Sequence, residues 1–314
     1  MSKINLNHPT ENHVSGVFYA LGAFVIWGLL PLFFKELSHV PSLEFLGYRM
    51  IWSFVFLTFL LFFIRSLQAF ITEIKDIITN KNLLLLLFLS AGLICSNWLV
   101  YIWAIAHEKV LETSLGYFIN PLMSVALGMF VLKEKLTNIK LFAVALATFG
   151  VLYMIIKGEG FPWVALYLAT SFAFYGLIRK KILVGAIIGL WVEILILLPM
   201  AIIYLFYMGM TQVPAVVSYD NYTIFLLVLS GAVTTIPLVL FTSAAKRLPL
   251  STLGLLQYIA PTMGFLLAVF LWKEPFTVTH IISFCFIWGG IFIYTLDIWL
   301  KSRGQRLSLS IREK

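Results

Sequence analysis

Four ionisable side chains lie inside apolar stretches long enough to cross a bilayer: Glu44, Arg49, Glu193 and Asp297. A charge at the centre of a membrane helix costs about 2.5–3.5 kcal/mol on insertion scales, so such groups persist where they pair, meet cavity water or bind something. Arg49 stands about 7 residues into its stretch, roughly 10 Å deep at the rise of a helix. Its guanidinium either snorkels back to the near interface or turns inward to hold an anionic or polar group. Glu44 precedes Arg49 by five positions, about 140° away around a helix, so the two do not face each other and each needs a partner elsewhere. Glu193 falls near mid-depth, where a carboxylate must be protonated, paired with a cation or wetted. It is a candidate for proton coupling or for holding a cationic group. Asp297, close to the end of the last apolar stretch, reads as interfacial.

A second set of polar and aromatic residues surrounds two prolines. Asn120-Pro121 and Ala260-Pro261 each free a backbone carbonyl and bend a helix. Tyr117 and Gln257 precede those bends by one turn, with Tyr258 beside Gln257. Asn97, Trp98, Tyr101 and Trp103 cluster in one stretch. Trp27 and Tyr175 occupy matching places in the two halves, and Thr234, Thr235 and Pro237 mark a further bend. Aromatic walls carrying a few amides and hydroxyls suit a mostly apolar small molecule. Amides avoid lipid, so Asn97, Asn120 and Gln257 either bind a substrate or tie helices together. The candidates for substrate binding or coupling are therefore Trp27, Glu44, Arg49, Asn97, Tyr101, Tyr117, Asn120, Tyr175, Glu193, Thr234, Gln257 and Tyr258. His107, with Glu108 and Lys109, reads as a solvated turn rather than a metal site. Cys95 and Cys285 lie in apolar segments and are poor metal or disulfide candidates. No nucleotide-binding loop or hydrolase motif is present, so the expectation is no catalytic residue, no cofactor and no metal.

The elements that position these groups follow from composition. Of 314 residues, 61% are hydrophobic and only 11% charged, with a mean hydropathy of +0.99. A soluble domain could not cover so much apolar surface with so few charges, so lipid is the solvent. Spanning helices need about 20 apolar residues each, and helices are required because lipid cannot satisfy open backbone groups. Ten stretches fit: 16–34, 43–64, 83–106, 113–132, 139–156, 161–178, 185–207, 222–245, 250–272 and 279–299. The last, basic segment 301–314 reads as a disordered tail, and residues 65–82 as a basic loop. Seventeen of the 22 lysines and arginines fall on the side of both termini, which places the termini in the cytoplasm. The net charge of +8 belongs to these loops facing anionic lipid, not to a nucleic-acid surface.

Two of these stretches are copies. LGYFINPLMSVALGMFVLKE begins at Leu115 and LLQYIAPTMGFLLAVFLWKE at Leu255; at constant offset Ile119, Pro121, Met123, Lys133 and Glu134 fall on Ile259, Pro261, Met263, Lys273 and Glu274. Tyr19, Phe24 and Gly28 fall likewise on Tyr167, Phe172 and Gly176, and Glu44 on Glu193 after a one-residue slip. Five spans separate the copies, an odd number, so the second runs upside down. The expected fold is an all-α polytopic membrane protein of ten helices in two inverted repeats: 1–156, 157–300, and the tail 301–314. Inverted repeats are the architecture of secondary transporters that alternate access between the two sides.

Several runs carry a resemblance to a known family. Asn97-Trp98-Leu99-Val100-Tyr101-Ile102-Trp103-Ala104, Val110 through Leu122, Phe45 through Ser53, and Leu248-Pro249-Leu250-Ser251 with Leu256 through Thr262 resemble the RarD family. That family belongs to the EamA, or drug/metabolite, transporter superfamily. The resemblance implies a central cavity in a bacterial inner membrane and export of small metabolites or of amphipathic drugs such as chloramphenicol. Lipid and a small-molecule substrate are the expected partners, and a homodimer stays open as an assembly. An intramembrane enzyme would need catalytic groups clustered at one depth, and a polytopic sensor or assembly protein would need no polar lining; both stay open as alternatives.

Overall fold

The computed structural model describes residues 9–64, 66–107, 109–157, 162–211, 219–271, 273 and 277–312. Among them every regular element is a helix. The order is α1 (Pro9–Glu36), α2 (Ser42–Ile64), α3 (Leu67–Thr79), α4 (Lys81–Ala106), α5 (Val110–Phe130) and α6 (Asn138–Lys157). It continues with α7 (Trp163–Lys181), α8 (Ala186–Thr211), α9 (Asn221–Ala245), α10 (Leu250–Leu256), α11 (Ile259–Leu266) and α12 (Val278–Arg312). A π-helical turn, Leu267–Leu271, follows α11.

Nine helices among the described residues are long and apolar enough to cross a membrane, the α10–α11 pair counting as one. The expected span over 161–178 is present as α7, yet α7 is not among the nine. It ends on Arg179, Lys180 and Lys181, and more than half of it is buried, from Val164 to Arg179. The three basic residues of its last turn and the polar Tyr, Ser and Thr side chains along it lower its mean hydropathy.

Three boundaries differ from the sequence expectation. The basic segment after residue 300 continues α12 as helix to Arg312 instead of forming a disordered tail. No helix-breaking proline follows residue 300, and the preceding turns supply the nucleus that a free tail would lack. Residues 67–79, read as loop, form the amphipathic helix α3, capped by Ser66 accepting from the Ala69 N–H. Its Phe70, Ile74 and Ile77 pack against Leu61, Leu87, Ile182 and Trp191. The break in the second copy lies at Gln257–Tyr258, one turn before Pro261, which has no N–H to offer the Gln257 carbonyl. That carbonyl accepts instead from the Ala260 N–H at 3.2 Å.

Helix pairing follows an internal exchange. If each of the first five spans is swapped with its counterpart in the second five, α2·α8, α5·α10 and α6·α12 map onto themselves. The pair α5·α7 maps onto α1·α11, α2·α9 onto α4·α8, and α1·α9 onto α4·α7, and all of these pairs pack. Local geometry repeats too. Lys133 and Lys273 are the non-glycine residues with left-handed backbone among those described, each at φ 55°.

Candidate functional site

The exchange fails where α9 meets α7 and α8, and the polar residues divide along that failure. At the end of the bundle carrying Lys180 and Lys246, α9 packs against both α7 and α8. The equivalent approach of α4 to α1 and α2, at the other end, is slight at most.

The packed end is closed by a buried polar network. Arg179 on α7 and Glu193 on α8 form an ion pair of 3.1 Å with both side chains 0% exposed. The same guanidinium donates to the Ala186 carbonyl at 3.0 Å and to Thr242 of α9 at 3.4 Å. Glu193 also accepts from the Ser90 hydroxyl of α4 and, at 3.4 Å, from the Tyr175 hydroxyl. One carboxylate thus joins α4, α7 and α8, and its arginine carries the network on to α9. Gly189 leaves the room: a Cβ there would collide with an Arg179 nitrogen. Lys180 donates to the Ala245 carbonyl at 2.9 Å and to the Leu248 carbonyl, and Lys246 donates to the Val184 carbonyl. Burial and the neighbouring Arg179 and Arg247 push the Lys246 ammonium down to about 8. Glu134, just past the left-handed Lys133, accepts from the Leu250 and Ser251 N–H groups at 2.6 and 2.9 Å and from the Ser251 hydroxyl at 2.7 Å. It caps α10 and fixes it to the chain that leaves α5.

The other half is held more loosely. Glu44 is buried on α2 and accepts from the Tyr219 hydroxyl at 3.3 Å, and His39 meets Thr223 at 3.0 Å. Burial and Glu44 push the Tyr219 phenol up to about 12. Arg49 does not snorkel. Its Nε is buried without a hydrogen-bond partner, and the guanidinium carbon lies 4.5 Å from the Trp98 ring centroid of α4 and 5.7 Å from Phe45. Tyr101 of α4 and Tyr117 of α5 adjoin it, their rings edge to face at 6.2 Å. Tyr117 is 50% exposed, so the helices around it leave half of its surface uncovered. Arg49 occupies the gap that α2 and α4 leave between their backbones.

The remaining candidates fall into three settings. Trp27 and Tyr175 both flank Phe172 and Phe241, with ring centroids between 5.2 and 6.3 Å, in an aromatic layer between the halves. Asn97 donates to the Leu168 carbonyl and the Ser171 hydroxyl, both at 2.9 Å, and so ties α4 to α7 rather than facing a cavity. Thr234 is buried in α9, which runs unbroken through Pro237. Asn120, Gln257 and Tyr258 are buried, and Asn120 Oδ1, Gln257 Oε1 and the Tyr258 hydroxyl have no hydrogen-bond partner. They sit where the two proline-bearing helices cross; a Cβ on Gly254 of α10 would stand 2.7 Å from the Pro121 carbonyl.

Two sequence readings are corrected. Asp297, at the end of its span, is buried against the protein rather than open to water, and accepts from Thr137 at 3.4 Å, because α12 packs along α6 and brings Thr137 over it. Arg179, counted among loop charges, lies inside the bundle. Nothing in the run Arg179-Lys180-Lys181 distinguishes the one inward side chain; only the later Glu193 requires a cation. His107 behaves as a turn residue stacked on Trp103 at 4.3 Å, while its neighbour Glu108 lies outside the described residues. Glu274, the repeat mate of Glu134, also lies outside them. The described residues hold no cluster of metal-ligating side chains. Two surface grooves, of about 650 and 600 Å³, are lined by residues such as Phe33, Lys35 and Tyr222 or Pro199, Met200 and Tyr204, and neither includes a candidate residue.

Residues 14–156 match the EamA-like transporter family. Protein RarD of Salmonella typhimurium is 46% identical over 90% of this chain and 95% of its own. The chain belongs to the RarD family of EamA-like transporters. A second relative, the uncharacterized transporter YojE of Bacillus subtilis, is 44% identical over 90% of this chain and 94% of its own. A crystal structure 17% identical in sequence shares the fold, with a TM-score of 0.63 over 91% of this chain and 97% of that one. As a RarD-family protein the chain is a multi-pass membrane transporter, and its kinship points away from an enzyme.

Proposed function

We propose that the chain is a secondary transporter of the bacterial inner membrane. It exports small organic metabolites or amphipathic drugs by alternating access between two inverted five-helix halves, 1–156 and 157–300. The observation that carries this reading is the unequal state of two equivalent helices. Pro121 lies within the unbroken helix α5, whereas the matching segment is broken into α10 and α11 and ends in a π turn. Leu250 to Leu255 of α10 are all buried, and no residue of α11 is. In an inverted repeat, one side is open when the copies differ, and exchanging their shapes opens the other side.

The lysine and arginine count puts the packed end, with both termini, in the cytoplasm. The conformation is then closed to the cytoplasm and looser toward the outside. The chain has no nucleotide-binding motif, so a gradient or exchange drives the cycle. The chloramphenicol label that the family resemblance brings makes phenicols one substrate class to try.

Reconstitution into liposomes tests the reading. Purified protein should carry components of a bacterial metabolite extract, or a phenicol, across the vesicle wall. Cysteines introduced at Lys133 and Lys273 should label from opposite sides. Labelling from one side only ends the inverted arrangement, and absence of flux ends the transport reading.

A further inference from the structure

Among the described residues no carboxylate pairs with Arg49, and its Nε lies buried without a partner. The nearby acid, Glu44, is held by Tyr219, and Glu193 is held by Arg179. A guanidinium that has left water needs an anion or a set of acceptors to be stable there. Around Arg49 the protein supplies aromatic faces instead: Trp98 beneath it, Phe45 to one side, and Tyr101 and Tyr117 close by. Cation–π contact recovers part of the lost hydration and leaves the planar fork of N–H donors unused.

We infer that Arg49, with Trp98, Tyr101 and Tyr117, forms the recognition site for the carboxylate of an organic acid with an apolar or aromatic body. This rests on the transport reading and narrows its substrate class from small metabolites in general to monoanionic acids. The planar fork matches a carboxylate in bidentate geometry. The two phenols supply hydroxyl donors for its outer lone pairs, and the rings cover an apolar body. A phosphate dianion fits less well, because no second cation among the described residues acts on the site. The site also lies in the half where α4 stands off from α1 and α2, so a small molecule can reach it without breaking the buried Arg179–Glu193 pair.

The test uses the full chain in uncharged maltoside micelles, with tryptophan fluorescence and thermal stability as readouts. The probes are 3-phenylpropionate and indole-3-acetate, each paired with its neutral amide, at pH 7. The acids should bind the wild-type protein at least about tenfold more tightly than their amides, as a charge-assisted bidentate pair requires. Arg49→Gln should reduce the acids to the affinity of the amides, and Arg49→Lys should keep a weaker preference for the acid. Equal binding of acid and amide, or no binding of either acid, overturns the inference. The wild-type comparison holds even where Arg49→Gln fails to fold. Liposome flux separates this inference from the function it rests on. Flux of the acid that survives Arg49→Gln unchanged removes the anion site and leaves the transporter. No flux by wild type removes the transporter, while acid against amide still decides the site.

Discussion

Two arginines among the described residues reach into the bundle, and they differ in partners and in burial: Arg179 is fully buried, Arg49 only in part. Arg179 has a carboxylate at 3.1 Å, a carbonyl and a hydroxyl, all supplied by the protein, in the end where α7, α8 and α9 meet. Arg49 has aromatic rings and no acid, in the half where the matching helices stand apart. The repeat does not explain the difference. Glu193 has a counterpart in Glu44, but Arg179 falls on Pro31 and Arg49 on an apolar position, so each arginine belongs to one copy alone. The duplicated scaffold supplies the geometry; on the proposals above, the charges added to it separately would make one end a seal and the other a receptacle. A buried cation completed by the fold is structure; one left incomplete in an accessible gap is available to a ligand.

The sharpest break of this comparison is on stability. Arg179→Leu leaves Glu193 buried without its cation, and should cost about 3–5 kcal/mol. Arg49→Leu strands no partner and should move stability by less than about 1 kcal/mol, within the range of ordinary substitutions. Unfolding in detergent by denaturant measures both. The double change Arg179→Leu with Glu193→Leu should recover most of the loss, since an apolar pair of similar volume replaces the ion pair at little cost. Equal losses from the two single changes would erase the distinction between seal and receptacle.

The next effect concerns the seam between the copies. Glu134 holds α10 through two backbone N–H groups and a hydroxyl, so Glu134→Gln removes a charged cap and should cost about 1–2 kcal/mol. Because that contact belongs to the packed end, the same change should also bias the protein toward opening there. A cysteine placed at Ser251 should then react faster with a thiol reagent applied from the cytoplasmic side. Unchanged labelling with lowered stability would make Glu134 a cap without a part in the seal.

The fold was largely legible because lipid enforces it. Apolar runs had to be helices, and a duplicated run around Pro121 and Pro261 shows on inspection. The amphipathic α3 lacks the long uniform apolarity that marks a membrane span. Leu67, Phe70, Ile71, Ile74, Ile77 and Ile78 recur at helical spacing, and that period was the signal available. The site was legible only in part. Arg49, Tyr101 and Tyr117 come together as separate suspicions of one lining, because each is polar at a depth where polarity is costly. The pairing of Glu193 with Arg179 was not, since a cation at the end of an apolar run looks the same whether it points to water or inward. Asn97 shows the complementary limit: an amide in lipid must bond to something, but sequence does not say whether to a ligand or to the next helix.

The smallest expected effect lies at the edge of the seal, where pH can reach it. Lys246 follows α9, donates to the Val184 carbonyl, and titrates near 8 because of its burial and the positive Arg179 and Arg247. Its folded value lies below the ordinary lysine value, so from about pH 8 upward the unfolded chain holds more protons than the folded one. Stability must then rise with pH across that window and level off near 10.5, where the unfolded lysine also titrates. Below pH 8 both states carry the charge and this contribution is flat. Lys246→Met lacks the group, so the difference in melting temperature between wild type and variant should change between pH 8 and 10.5 in favour of wild type. A difference that stays constant over that interval would mean that the ammonium is solvated, and that the packed end is wetter than its buried ion pair implies.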